Sequence, residues 1–99
     1  MSSDPVPRLS LFICGDALPG VHAAERVQQW ANKYQWNVEV IDVLVNPELA
    51  EQRRILATPT LVKEEPLPSR RVIGDLHDEE RVFTALSLRP TNNEASSGA

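Results

Sequence analysis

Apolar and polar positions change their period several times along the chain, and each change marks an element. Leu9-Ser10-Leu11-Phe12-Ile13-Cys14 is almost continuously apolar and closes on Gly15-Asp16. That predicts a buried strand of the kind found in parallel sheets. Residues 17–20 then make a loop containing Pro19. Across residues 21–34 the period becomes helical. Val21, Ala24, Val27, Ala31 and Tyr34 fall on one stripe with Trp30 at its edge, and Glu25, Arg26, Gln28, Gln29 and Lys33 fall elsewhere. This predicts an amphipathic helix with one face for the core. Residues 38–44, Val-Glu-Val-Ile-Asp-Val-Leu, alternate for a stretch and are rich in β-branched side chains, so they read as a second strand.

Asn46-Pro47-Glu48 predicts a helix start. Asn46 can cap free amides, Pro47 suits the first helical position, and Glu48 opposes the positive end of the dipole. The helix is expected to reach about Leu56, because the residue before Pro59 is pushed out of the helical region. Residues 60–63 read as a strand, residues 64–69 with Pro66 and Pro68 as a hairpin-like connection, and Arg70-Arg71-Val72-Ile73 as a strand closed by Gly74-Asp75. Asp78 predicts an N-cap for a last helix burying Val82, Phe83 and Leu86, although Val82, Thr84, Leu86 and Leu88 also alternate as a strand would. The second half of the chain is therefore locally ambivalent. The order βαβαββα describes an α/β chain with one mixed sheet, and it matches a thioredoxin-like fold. Thr58-Pro59 before the third strand strengthens the match, since a cis proline is common there and an X-Pro bond tolerates cis at about 0.5–1 kcal/mol. Residues 1–8 form an expected flexible arm, 9–88 the domain, and 89–99 a disordered tail with too little apolar content to fold.

Composition narrows the function. At 99 residues there is room for one core. The net charge of −4 argues against a nucleic-acid partner. No apolar run approaches the roughly 20 residues of a membrane helix, and the first eight residues lack a signal-peptide core, so a cytoplasmic protein without a membrane partner is expected. The single cysteine, Cys14, excludes a Cys-x-x-Cys pair and reads as a small buried residue rather than a reactive thiol. His22 and His77 lack neighbours at metal-ligand spacing and read as surface histidines. Asp16, Asp42, Asp75 and Asp78 fit turn and cap roles. Trp30 and Trp36 read as core. Arg70-Arg71 can hold a partner carboxylate or bridge to a carboxylate of the same chain, and the sequence leaves both open. No phosphate-cradling glycine loop is present, and no cofactor or catalytic constellation is expected.

Four blocks together resemble the KaiB family of clock proteins: Val40-Ile41-Asp42-Val43-Leu44, Asn46-Pro47-Glu48-Leu49-Ala50-Glu51, Leu56-Ala57-Thr58-Pro59-Thr60-Leu61, and Arg70-Arg71-Val72-Ile73-Gly74-Asp75-Leu76. The resemblance runs from Leu9 to Leu88. It implies a non-enzymatic regulator that binds a KaiC-family ATPase, with KaiA-like or SasA-like clock components as further partners. It also implies a fold switch between a homotetramer of order βαββααβ and a thioredoxin-like monomer competent to bind. The implied contact residues are Val43, Leu44, Val45, Asn46, Pro47, Glu48 and Leu49, with His22 on the first helix. Pro59, Pro66, Pro68, Arg70, Arg71, Gly74 and Asp75 are the implied places where the switch is biased. The chain departs from the family pattern at Val45 and His22, where the family carries lysine and arginine, at Pro66-Leu67-Pro68 in place of three prolines, and in its neutral tail. A divergent paralogue is therefore expected. A single-cysteine oxidoreductase using Cys14 and a SasA-like docking module are the alternatives.

Overall fold

A computed structural model of the chain describes residues 6–74 and 76–88. The elements are β1 (Arg8–Ile13), α1 (Leu18–Tyr34), β2 (Asn37–Asp42), α2 (Pro47–Gln52), β3 (Thr60–Glu65), β4 (Arg70–Ile73) and α3 (Glu79–Ala85). The order is βαβαββα, and the last segment is helical. Asp78 settles that choice: its carboxylate accepts from the Arg81 amide at 3.2 Å, and Glu79 and Glu80 stand at the positive end of the dipole. The strands form one sheet in the order β2-β1-β3-β4, with β1 parallel to β2 and antiparallel to β3, and β3 antiparallel to β4. This is the expected thioredoxin-like architecture.

The sheet buries both faces. Leu9, Leu11 and Leu61 meet α1 and α3 in the larger cluster, where Trp30, Tyr34, Trp36 and Phe83 stack edge to face and tilted, with centroids 5.1–6.2 Å apart. Phe12, Ile41 and Val62 face the other way, under Leu49 and Ile55 of the α2 region. The tryptophans are core residues, as their spacing predicts. The α1 stripe is set differently from the sequence reading. Ala23 and Trp30 lie at its buried centre, while Val21 and Ala24 are only half-buried. The bulk of Trp30 turns the helix toward the aromatic cluster.

The three helices among the described residues end in one way. Gln35, Arg54 and Ser87 take positive φ (63°, 57° and 57°). The amide of the next residue then reaches back five positions, Trp36 to Ala31, Ile55 to Ala50 and Leu88 to Phe83, at 2.8–3.0 Å. This is the Schellman closure, and in each case the residue after the left-handed one is an apolar side chain packed into a core cluster. It corrects the expected end of α2. The helix stops at Gln52 rather than near Leu56, because Ile55 must drop onto Phe12 and Val62. The second strand likewise ends earlier than expected: the Val43 amide still donates to the Ile13 carbonyl at 2.8 Å, but the chain turns there and Leu44 leaves the ladder, and β1 begins at Arg8.

The peptide bonds before Pro59, Pro66 and Pro68 are cis. Asp75 and the tail of residues 89–99 lie outside the described residues, as do residues 1–5. No described helix is long and apolar enough to cross a membrane.

Candidate functional site

Four strand termini meet at one end of the sheet. β1 and β2 are parallel, so Ile13 and Asp42 end side by side, and the register Phe12–Thr60–Ile73 brings the start of β3 and the end of β4 to the same rim. In open α/β sheets this end is where ligands and partners are usually met.

Asp42 organises the rim. Its Oδ1 accepts from the Gly15 and Leu44 amides, both at 2.9 Å, tying the loop after β1 to the turn after β2. Its carbonyl accepts from the Val45 and Asn46 amides and from the Asn46 side-chain amide at 3.0–3.1 Å. Gly15 has φ +55°, and a Cβ there would lie 3.0 Å from Leu44 Cδ1, so the two loops approach closely only because this residue lacks a side chain. Asn46 precedes α2 as expected but does not cap it. Its side chain donates backward to Asp42, so no side-chain hydrogen bond reaches the free amides of the helix.

With its backbone consumed in this turn, the chain lifts Leu44 and Val45 into solvent, 68% and 73% exposed. Leu56, 90% exposed, is a further solvent-facing apolar residue and lines a cleft of about 720 Å³. Cys14, Val43, Pro47, Ala50, Ile55 and Thr58 line that cleft. Cys14 is half-buried at its edge rather than enclosed, a correction to the sequence reading, because β1 ends one residue before it. Glu48 is exposed on the first turn of α2, and Leu49 turns inward to the smaller core cluster. The expected contact segment is therefore one contiguous surface, apart from Val43 and Leu49, which are half-buried.

His22 is not part of that surface. It lies across Thr58, in a second cavity of about 450 Å³ formed with Arg26, Pro59, Gly74 and His77. Arg26 was not singled out by sequence, although its spacing of four from His22 on a helix is the signal that would have found it. Leu56 was missed for a different reason: as part of an expected helix it gave no sign of facing water.

Arg70 and Arg71 part company. The Arg71 guanidinium forms no ion pair among the described residues; it donates to the carbonyls of Arg53 and Arg54 at 2.9 and 3.2 Å, capping the negative end of α2. Arg53 in turn donates to Glu64 at 2.8 Å and lies over the Phe12 ring. The other carboxylate oxygen of Glu64 is buried without a hydrogen bond among the described residues. Among the described residues two titrations are displaced, both outside the rim. The hydrogen bond to Glu79, with burial second, pushes Tyr34 above its usual range. Burial, with the charge of Arg70 second, pulls Lys63 below its usual range. Among the described residues no group of three or more His, Cys, Asp or Glu side chains is placed to hold a metal ion.

A family model described as the KaiB domain matches residues 10–88. The chain belongs to the KaiB family. The circadian clock oscillator protein KaiB of Synechococcus elongatus is 46% identical to it over 83 residues, 81% of each chain. The circadian clock protein KaiB3 of Synechocystis is 38% identical over 85 residues, 83% of each chain. Among solved structures, the N-terminal domain of Synechococcus elongatus SasA superposes with a TM-score of 0.68 at 23% identity, covering 85% of this chain and 83% of that one. Thioredoxin 1 of Thermosipho africanus gives 0.68 at 20% identity, covering 78% and 88%. At such identities these two show the fold, and it is thioredoxin-like. The KaiB relatives are named as clock proteins and not as enzymes.

Proposed function

We propose that this KaiB-family chain is a non-enzymatic clock-type regulator that binds a KaiC-family ATPase through the rim at the strand ends. The observation that carries the reading is a set of exposed apolar side chains: Leu44 and Val45, held out to solvent by the Asp42 turn, and Leu56, on the wall of an open cleft that Val43 and Pro47 also line. A buried centre of apolar side chains with a polar rim is what a specific interface uses, and here Asn46, Glu48 and Glu51 supply the rim. The lone cysteine leaves no dithiol for thioredoxin chemistry.

The same reading includes a second, oligomeric state of the chain, in which the segment after β2 is repacked. If the thioredoxin-like state is a minor one in the free protein, binding is weakened by its population. Other clock components, KaiA-like or SasA-like, compete or join at the assembled complex.

The test is binding of Leu44→Asp and Leu56→Asp variants to the KaiC-family ATPase of the same organism, with oligomeric state followed by light scattering over a dilution series. Each variant is expected to lose at least tenfold in affinity while its thermal midpoint stays within the ordinary range for surface changes. Undiminished binding by both variants would remove the rim from the interface. A monomer at every concentration would remove the oligomeric state.

A further inference from the structure

We propose, resting on the rim interface above, that the partner segment docking there is cationic: it presents apolar side chains flanked by lysine or arginine, and the carboxylates of α2 steer its approach. Two depressions adjoin at Pro47, which lines both. One is the cleft already described, with Leu56, Glu51 and Arg54 on its walls. The other, of about 470 Å³, is lined by Val45 and Glu48. Each depression thus sets a solvent-facing apolar side chain, Leu56 or Val45, beside an exposed glutamate.

The charges around these anchors decide the sign of the partner. Glu48 and Glu51 form no ion pair among the described residues. Exposed Asp16 follows Gly15, which Leu44 approaches closely, and Asp42 ties the same two loops together. Carboxylates therefore run from α2 round to the loop after β1. Arg54 is the opposing cation in the cleft. Arg53 is turned to Glu64, and Arg71 to the carbonyls that end α2. His22 and Arg26 lie beyond Thr58 on α1 and line neither depression. The balance at the rim has the same sign as the −4 of the whole chain. In such a surface the apolar anchors hold the docked position, and the flanking charges act mainly on the rate of encounter. The same sign disfavours a second copy of this chain as the occupant, since the two rims repel.

The test is the association rate of the full chain with the KaiC-family ATPase of the same organism, measured at low and high ionic strength. Wild-type association is expected to slow as salt rises. Glu48→Lys combined with Glu51→Lys is expected to slow it about tenfold at low salt and to abolish the salt dependence, while dissociation changes less than about threefold. Glu51→Lys alone is expected to slow association about threefold. Glu51 lies in the last turn of α2, where a cation suits the helix dipole, so this variant serves if the double change loosens the helix. Glu25→Lys makes the same charge change on α1, away from the rim, and is expected to stay within about twofold of wild type. A loss there equal to that of Glu51→Lys would assign the effect to net charge and overturn the proposal. Unchanged or faster association of both rim variants, with Leu44→Asp and Leu56→Asp still deficient, would overturn the cationic partner and leave the rim interface standing. Undiminished binding by all of these variants would remove the interface, and the cationic segment with it. A wild-type dimer that Leu56→Asp dissolves, with no ATPase bound at the rim, would put a second copy there instead.

Discussion

On one face of the sheet, α1 and α3 enclose Trp30, Tyr34, Trp36 and Phe83 against Leu9, Leu11 and Leu61. On the other, a six-residue α2 covers only Phe12, Ile41 and Val62, with Leu49 and Ile55 half-buried above them. α2 itself buries no residue fully. The first face is held by apolar area, which acts without direction and in bulk. The second is held by directed polar ties: Arg53 to Glu64, Arg71 to the end of α2, and Asp42 across two loops. Such ties contribute little each and fail together when one partner is removed. The thinly covered face therefore belongs to the low-stability end of the molecule, where opening requires least free energy. The proposed partner surface lies at its edge, and so does the segment proposed to repack.

The largest effect separating the faces is expected from Phe83→Ala. Phe83 touches three other aromatic rings, and its truncation is expected to cost about 3–5 kcal/mol in denaturant unfolding. Ile55→Ala, on the other face, is expected to cost about 2 kcal/mol or less because the side chain is only half-buried. Equal losses would show that the faces are equally dependent on apolar area.

Arg53→Ala tests the polar ties directly. It leaves Glu64 buried with neither carboxylate oxygen paired. The expected cost is about 2 kcal/mol, below the 3–5 typical of full burial because Arg53 is itself partly exposed. Hydrogen exchange should rise in α2 and the following turn while α1 amides keep their protection. A uniform rise across both faces would break the comparison.

The two faces were also unequally legible. The first strand and first helix announce themselves because their periods are long and their large apolar residues are many. The stripe read through Ala24 is one step away from the buried Ala23, since alanine carries little hydrophobic signal and the position of Trp30 decides the rotation. The end of α2 was hidden because its left-handed residue is Arg54 rather than glycine, so the sequence shows no stop until Thr58-Pro59. At the rim, Asn46-Pro47-Glu48 marks the helix start from composition alone. The exposure of Leu44 and Val45 does not, since an apolar run after a strand reads as more strand. Only the Asp42 carboxylate, accepting from two loops 27 positions apart in its longer reach, turns those side chains outward. That pairing is tertiary and leaves no local trace. Arg71 was ambiguous for the same reason, because its acceptors are carbonyls, which no residue type reveals.

Lys63 is an exception on the better-packed face, and it sharpens the comparison. It sits between Leu9 and Arg70 in the sheet register and is 1% exposed. Lys63→Met removes a desolvated ammonium in favour of an apolar side chain of similar length and is expected to be neutral or to stabilise by about 1 kcal/mol. The sign of its pH dependence follows from its lowered pKa. The folded chain releases this proton before the unfolded chain does, so stability rises with pH from the lowered value up to the ordinary 10.5. Tyr34 opposes this at the alkaline end. Its raised pKa means its contribution is present below 10.0 and lost as pH rises through the raised value. In a Tyr34→Phe background the alkaline rise should therefore stand alone, and Lys63→Met should flatten it. A rise that persists in the double variant would assign it to another group.

A comparably small effect is expected at Gly74, where the thinly covered half turns out of β4. Its φ is +100°, and nothing lies within 4 Å of where a Cβ would stand, so Gly74→Ala meets no steric barrier from neighbours. The penalty comes from the backbone alone, about 1–2 kcal/mol for an L residue held at positive φ. The Gly74 amide donates to the Pro59 carbonyl at 2.8 Å, so the strain falls on the link between the β4 exit and the corner before β3. If the proposed second state relaxes this dihedral, the same small penalty acts as a several-fold shift in population rather than as simple loss of stability. Light scattering and partner-binding kinetics on Gly74→Ala distinguish the two. A lower unfolding midpoint with unchanged oligomer distribution and unchanged kinetics would confine Gly74 to the turn it makes here, and a changed distribution at nearly constant midpoint would place it on the path between the two states.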